Sequence, residues 1–160
     1  MKILVIWKAL VSETYHNRFV ELAKFKDVEL TLIVPTKWHK INLEKKFCSE
    51  YKIIPRRVVL NGSNHFHWYP GLARIIRQVR PDILHIEEEH YSLVTFQAIR
   101  LAKKYNIKCL FVTWQNIYKK YPFPFSRVEQ YNLENADYAI AGSNEVRKVL
   151  VRKGFDNKRI

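Results

Sequence analysis

The sequence contains little glycine. Its 160 residues include four, namely Gly62, Gly71, Gly142 and Gly154. Folds that bind dinucleotides or ATP place glycines directly after a strand, so that backbone amides can approach a phosphate. The stretch that follows the first apolar run, WKALVSETYHN, has no glycine. The sequence therefore argues against binding of NAD, FAD or ATP by these routes, and we predict no cofactor.

Cysteine is scarcer still. Cys48 and Cys109 show no spacing typical of metal ligands, and a single pair is weak evidence for a disulfide. Cys109 lies in an apolar run, which predicts a buried free thiol. His65 and His67 alternate in a loop without a complete set of ligands, so we predict no metal site.

Apolar runs long enough to cross a membrane are also missing. The apolar start, MKILVIWKALVSE, turns polar too early for a span and carries no small-residue cleavage site. We therefore predict a soluble, cytoplasmic protein.

Basic residues, by contrast, are abundant. The chain has 28 lysines and arginines against 15 aspartates and glutamates, which gives a net charge of +13. This excess favours an acidic partner, namely phosphate groups, anionic lipid or nucleic acid. A solvated, lysine-rich surface is the alternative interpretation.

One basic segment, TKWHKINLEKKF at residues 36–47, interleaves lysines with aromatic and aliphatic side chains. Such a mixture suits the surface of an anionic membrane, and peripheral contact with the inner face of the cell membrane is one hypothesis. Its lysines are Lys37, Lys40, Lys45 and Lys46. The alternative is that Trp38 and Phe47 belong to the core and the lysines solvate it.

Short apolar runs alternate with helical stretches along the chain. Strands are predicted at residues 3–7, 28–34, 53–60, 82–86, 107–113 and 138–141. Ser12 or Thr14, Ser92 and Ser143 are predicted to cap helices, and Gly154 to end the last one. This order predicts an α/β fold: a Rossmann-like, doubly wound, mostly parallel sheet with helices on both faces.

Ligands of such sheets bind beyond the carboxyl ends of the strands. This rule selects four loops, at residues 8–14, 87–91, 114–121 and 142–145. In the second loop, HIEEEHYS, the carboxylates of Glu87, Glu88 and Glu89 can accept hydrogen bonds from sugar hydroxyls, or one can act as a base. A solvated acidic turn near the start of the next helix is the alternative.

The third loop, VTWQNIYKKYPFPFS, combines aromatic rings with amide side chains. Trp114, Gln115 and Asn116 suit a sugar ring, which has an apolar face and hydroxyl edges. The alternative is a loop that packs against its own helix.

The succession MKILVI, ELAKF, VELTLIVP, RPDILHI, IKCLFVT and NADYAIAGSNEVRKVLVRKGFDNKRI resembles the N-terminal domain of family 4 glycosyltransferases over essentially the whole chain. The resemblance implies one half of a GT-B fold, with residues 1–160 as a single acceptor-side domain and the donor-binding domain absent. The implied reaction is sugar transfer from a nucleotide-sugar with retention of anomeric configuration and without an obligatory metal.

The resemblance also directs the choice of site residues. Gln115 and Glu87 stand where many members of the family have histidines, and we assign them catalytic roles. The residues assigned to acceptor binding are Ser12, Glu13, Glu88, His90, Trp114 and Asn116. The implied partners are a nucleotide-sugar donor, mainly through the other half, and a sugar or lipid-linked acceptor.

Two other interpretations stay open at this stage. The first is a non-catalytic basic α/β domain that binds nucleic acid or another polyanion. Its basic residues are scattered over several elements and match no nucleic-acid motif, so no specific nucleic acid is expected. The second is a small-molecule-binding domain of flavodoxin-like topology, which the missing phosphate loop disfavours.

Overall fold

A computed structural model describes residues 1–44 and 50–160. Its strands, in chain order, are β1 (Lys2–Ile6), β2 (Glu29–Pro35), β3 (Lys37–Trp38), β4 (Ile41–Asn42), β5 (Lys52–Arg56), β6 (Ile83–Ile86), β7 (Lys108–Thr113) and β8 (Tyr138–Ala141). Its α-helices are α1 (Asn17–Ala23), α2 (Leu72–Val79), α3 (Leu93–Tyr105), α4 (Phe125–Asn135) and α5 (Asn144–Arg152). Three 3₁₀ turns lie at Lys8–Val11, Glu13–Tyr15 and Asn157–Arg159.

Six strands form one sheet in the order β5-β2-β1-β6-β7-β8, and every neighbouring pair is parallel. The predicted Rossmann-like sheet is therefore confirmed. Pro55 falls within β5, which is tolerated because β5 lies at an edge and no ladder needs its missing amide.

The sheet is buried on both faces, and alternate residues of β1 point to opposite sides. Leu4 and Ile6 join the larger core, which contains side chains of α2, α3, α4 and α5. Ile3 and Val5 join the smaller core, where Phe19 of α1 packs. Burial on both sides explains why these strands are continuous apolar runs rather than alternating ones.

The helix ends confirm part of the predicted capping. The Ser92 and Ser143 hydroxyls accept hydrogen bonds from the amides of Thr95 and Val146, and Gly154 follows α5 with a φ of +93°. The prediction of a capped helix from Ser12 or Thr14 was wrong, because two 3₁₀ turns occupy this stretch and α1 begins only at Asn17.

Part of the basic segment at residues 36–47 forms a strand pair. Residues 37–42 make a short antiparallel hairpin of β3 and β4. The Trp38 ring is buried, in edge-to-face contact with His67 at 4.8 Å, and it is therefore not part of an exposed aromatic face. Lys45, Lys46, Phe47 and Cys48 lie outside the described residues.

The buried cysteine and the lengths of the helices can be compared with the predictions. The Cys109 thiol is free and buried, as predicted, and burial raises its pKa to about 11, so it stays protonated at neutral pH. Within residues 1–44 and 50–160, the longest helices fall short of the length and apolarity that a membrane crossing requires.

Candidate functional site

The strand order places a crevice at the carboxyl end of the sheet. From β1 the chain continues to β2 on one side, whereas β6 lies on the other side of β1 and leads on to β7. The connections that leave β1 and β6 therefore run to opposite sides, which opens a gap between the loops after these two strands. Ligands of open α/β sheets bind in such a gap. The loops after β1, β6 and β7 therefore form the candidate site.

Glu88 is the most deeply buried of the three glutamates in the acidic loop. Its side chain has no exposed surface, and one carboxylate oxygen accepts the Lys8 backbone N–H at 2.9 Å. The Lys8 ammonium pairs with the other oxygen, and His67 Nε2 lies 3.7 Å from the first. Burial by itself would raise the pKa of Glu88, but His67 and Lys8 outweigh it and hold that pKa below the ordinary 4.5.

Glu87 turns toward a different set of partners. Its carboxylate lies 2.8 Å from Arg18 Nη2 and 2.9 Å from His85 Nε2. The Arg18 guanidinium stacks over the Trp7 ring at 4.1 Å and remains partly exposed. Glu87 thus anchors a half-exposed cation at the mouth of the crevice.

Glu89 and His90 tie the β6 loop to the end of β7. Glu89 accepts the Thr113 hydroxyl and, at 3.0 Å, the Trp114 backbone N–H. His90 is buried, with Nδ1 3.1 Å from Thr113 Oγ1 and Nε2 3.0 Å from Glu129. The acidic run is therefore not a solvated turn, because each of the three glutamates has its own partners.

Trp114 forms an aromatic surface at the sheet edge. The ring lies against Gly142, where a Cβ would come within 2.3 Å of Trp114 Cε3. Only glycine allows this close approach. The residue is nevertheless 66% exposed, so Trp114 rests on backbone and remains accessible to a ligand.

The amide residues beside Trp114 differ in their surroundings. Gln115 is half-buried; its amide group donates to the Tyr121 hydroxyl at 2.9 Å, while its Oε1 is buried with no hydrogen-bond partner. Asn116 is exposed. A buried oxygen without a donor costs free energy.

The structure brings together some of the selected residues and not others. Glu88 meets the β1 loop, and the backbone of Trp114 meets Glu89, so the loops after β1, β6 and β7 adjoin as the parallel topology predicts. Ser12 and Glu13 instead contact Glu44, which accepts the Glu13 amide at 2.7 Å.

Sequence reasoning missed several residues of the site. Lys8, Arg18, His67, Glu129 and Lys153 all pair with the loop residues or with their partners. Lys8 had a signal, because it directly follows a buried strand. The others come from distant helices and loops, and their spacing in the sequence gives no indication of the contact.

In the part of the chain that the structure describes, no group of three or more histidine, cysteine, aspartate or glutamate side chains has an arrangement that could hold a metal ion. The carboxylates of the β6 loop are directed to lysine, arginine, histidine and threonine instead.

Comparison with known proteins gives a family and a fold. The family described as Glycosyltransferase Family 4 matches residues 13–160. No curated protein sequence matches the chain. Among solved structures, UDP-GlcNAc 2-epimerase from Neisseria meningitidis bound to UDP-GlcNAc is similar, with a TM-score of 0.66, 13% identity, and coverage of 99% of this chain and 45% of that one.

Two further solved structures have the same fold. UDP-GlcNAc 2-epimerase from Methanocaldococcus jannaschii, in complex with UDP-GlcNAc and UDP, gives a TM-score of 0.65 at 12% identity, covering 100% of this chain and 45% of the other. The S. aureus MnaA–UDP structure gives a TM-score of 0.63 at 19% identity, covering 99% of this chain and 42% of the other. The chain therefore spans less than half the length of these proteins.

We expect Lys8→Met to destabilise the protein strongly at pH 7. The substitution leaves the buried Glu88 carboxylate without its ammonium partner, a change that costs about 3–5 kcal/mol in comparable buried pairs. Lys2→Met is the matched control, because its partner Glu29 is exposed and such pairs contribute about 0–1 kcal/mol. Denaturant unfolding measures both variants.

The difference in unfolding free energy between Lys8→Met and the parent chain should depend on pH. The native pKa of Glu88 lies below its ordinary value of 4.5, so the ionised carboxylate stabilises the native state above about pH 4.5. This contribution is lost as the pH falls through the lower native pKa. The difference between Lys8→Met and the parent chain should therefore shrink below pH 4.5, and a difference independent of pH would contradict the assignment.

Gly142→Ala is expected to displace the Trp114 ring, because the added Cβ occupies its place. The indole N–H resonance of Trp114 should shift, and the free energy of unfolding should fall by about 1–3 kcal/mol as for other overpacked sites. In a Trp114→Ala background the same change should cost little. An equal cost in both backgrounds would show that the ring does not restrict this position.

Proposed function

The chain belongs to glycosyltransferase family 4, and from this premise we propose that it is the acceptor-binding half of a retaining glycosyltransferase. The complete enzyme transfers a sugar from a nucleotide-sugar to a sugar or lipid-linked acceptor, without an obligatory metal. One observation carries the proposal: the family match covers residues 13–160, which include the loops after β6 and β7 at the carboxyl edge of the sheet.

The nature of the acceptor follows from the exposed groups at that edge. Trp114 offers a broad apolar face, and Asn116 lies two residues further along the same loop. A pyranose ring presents C–H groups on one face and hydroxyls around its edge, which match an indole and an amide. We therefore propose that Trp114 stacks on the acceptor sugar and that Asn116 hydrogen-bonds its hydroxyls.

Gln115 and Glu87, the two residues with proposed catalytic roles, would act on the substrates differently. The unpartnered Gln115 Oε1 would accept a hydrogen bond from the reacting acceptor hydroxyl and orient it. The Glu87 carboxylate is already paired with Arg18 and His85, so its effect would reach the substrates together with the Arg18 guanidinium. An arginine at a crevice mouth suits the diphosphate of a donor.

Glu88, His90, Ser12 and Glu13 are proposed to contribute to acceptor binding indirectly. Glu88 and His90 are buried in their hydrogen-bond networks and fix the loops that carry the exposed groups. Ser12 and Glu13 shape the loop after β1 through Glu44. The similar epimerase structures with UDP-GlcNAc support a nucleotide-sugar as the donor class.

We expect this 160-residue chain to show no sugar transfer by itself. Retaining transfer needs the donor and the acceptor held together, and half of the cleft supplies only one of them. Release of nucleotide from a panel of UDP-, GDP- and ADP-sugars, with and without simple glycoside acceptors, measures the activity. Turnover above the uncatalysed background would contradict the division of labour between two domains.

In the protein joined to its donor-binding domain, Gln115→Ala is expected to lower kcat by about 10²-fold, as for removal of an orienting group, with the unfolding free energy almost unchanged. Gln78→Ala is the control, because Gln78 is an exposed glutamine on α2. If both variants keep the parental kcat, Gln115 has a structural role only.

A further inference from the structure

A second polar cavity lies on the flank of the domain, beside the far end of the loop after β7. It has a volume of about 730 Å³, is open to solvent on one side, and is lined by the loop after β7, by α4, by the end of α5 and by the last 3₁₀ turn. We call it the flank cavity. Its cationic lining consists of Lys119, Lys120, Arg152, Lys153 and Arg159.

The charge of the flank cavity is unbalanced. Its lining includes five cationic side chains and two carboxylates, Glu129 and Glu134, which leaves an excess of three positive charges. Glu129 is already shared between His90 and Lys153. Like charges that line one cavity repel one another, and an anion placed among them would relieve that repulsion.

One lysine of the lining is built into the structure. The Lys153 side chain is 4% exposed, and its ammonium lies 2.7 Å from Glu129 Oε1 and donates to the Lys119 carbonyl at 2.6 Å. It also lies over the rings of Tyr118 and Tyr121, at 4.9 and 5.4 Å. These contacts hold the loop after β7 against α5 and fix the shape of the cavity.

The remaining cations are available to a ligand. In the structure of residues 1–44 and 50–160, neither Lys119, Lys120 nor Arg152 has a carboxylate within ion-pair distance. The Arg152 guanidinium lies over the Tyr118 ring, with its central carbon 4.2 Å from the ring centroid. A guanidinium presents its N–H groups as a fork that matches two oxygens of a phosphate.

The helix dipole explains only part of this arrangement. Arg152 and Lys153 lie at the carboxyl end of α5, where cations are favourable in any protein. Lys119 and Lys120 belong to an irregular loop outside α5. A ligand with several negative charges would account for their convergence on the same cavity.

We propose that the flank cavity binds a phosphate or diphosphate group, with Arg152, Lys119 and Lys120 as its main contacts. The excess of three charges selects a multiply charged oxyanion over a single carboxylate. The group can come from a soluble phosphate ester or from a phosphorylated lipid headgroup. This proposal is independent of the proposed function, because it rests on the flank cavity alone.

The test uses the 160-residue chain with pyrophosphate as the probe. Titration followed by ¹⁵N–¹H NMR should show saturable shifts confined to the stretches that line the flank cavity, at residues 118–121, 126–134, 152–154 and 159. Arg152→Gln combined with Lys120→Gln should weaken the affinity at least tenfold, since each removes a charge-assisted contact. Arg77→Gln with Lys104→Gln removes the same charge from α2 and α3 and should leave the affinity within about twofold.

The contrary outcomes are equally definite. No binding of pyrophosphate at millimolar concentration, or equal weakening by the two double variants, would overturn the proposal, as would acetate binding as tightly as pyrophosphate. A last arm separates the two sources. Vesicles with phosphatidic acid that bind the chain, and release it when pyrophosphate is added, identify a lipid headgroup; phosphate binding without vesicle binding identifies a soluble ester.

Discussion

The pairing of Glu88 with Lys8 is the constraint on which the site depends. It joins the loop after β1 to the loop after β6, at the point where the strand order of the sheet reverses. A buried carboxylate is tolerated only with charged and hydrogen-bonding partners close by, and here Lys8 supplies both an amide and an ammonium. Any rearrangement of the crevice that separates these loops would expose an unpaired charge to the protein interior.

The other two carboxylates of the acidic run also have charged or hydrogen-bonding partners, each on a different part of the structure. Glu87 is paired with Arg18 and His85, and Glu89 with Thr113 and the Trp114 amide. Three adjacent like charges are thus separated by partners on three sides of the loop. One consequence is that the loops carrying the exposed groups are held by a network of charge-assisted hydrogen bonds rather than by an apolar core.

The loop after β7 connects the crevice with the flank of the domain. Trp114 rests on Gly142 at one end, and Lys153 fastens the loop through the Lys119 carbonyl at the other. Between them Tyr121 accepts a hydrogen bond from Gln115 and stacks with Tyr91. Binding in the crevice and on the flank therefore involves one continuous segment, which gives the two proposed ligands a physical route to influence each other.

The sequence by itself determined the parallel sheet, the helices after Ser92 and Ser143 and the choice of the loops after β6 and β7, because apolar runs, caps and strand ends are local signals. It did not determine the partners of the glutamates: Lys8 and Glu88 are 80 residues apart, and which cation meets which carboxylate depends on strand order. The same holds for the hairpin at residues 37–42 and the 3₁₀ turns before α1, where Trp38 burial and the contacts of the β1 loop outweigh weak local preferences. Only the tertiary structure decided these features, since they depend on the free energy of contacts between segments that the sequence leaves far apart.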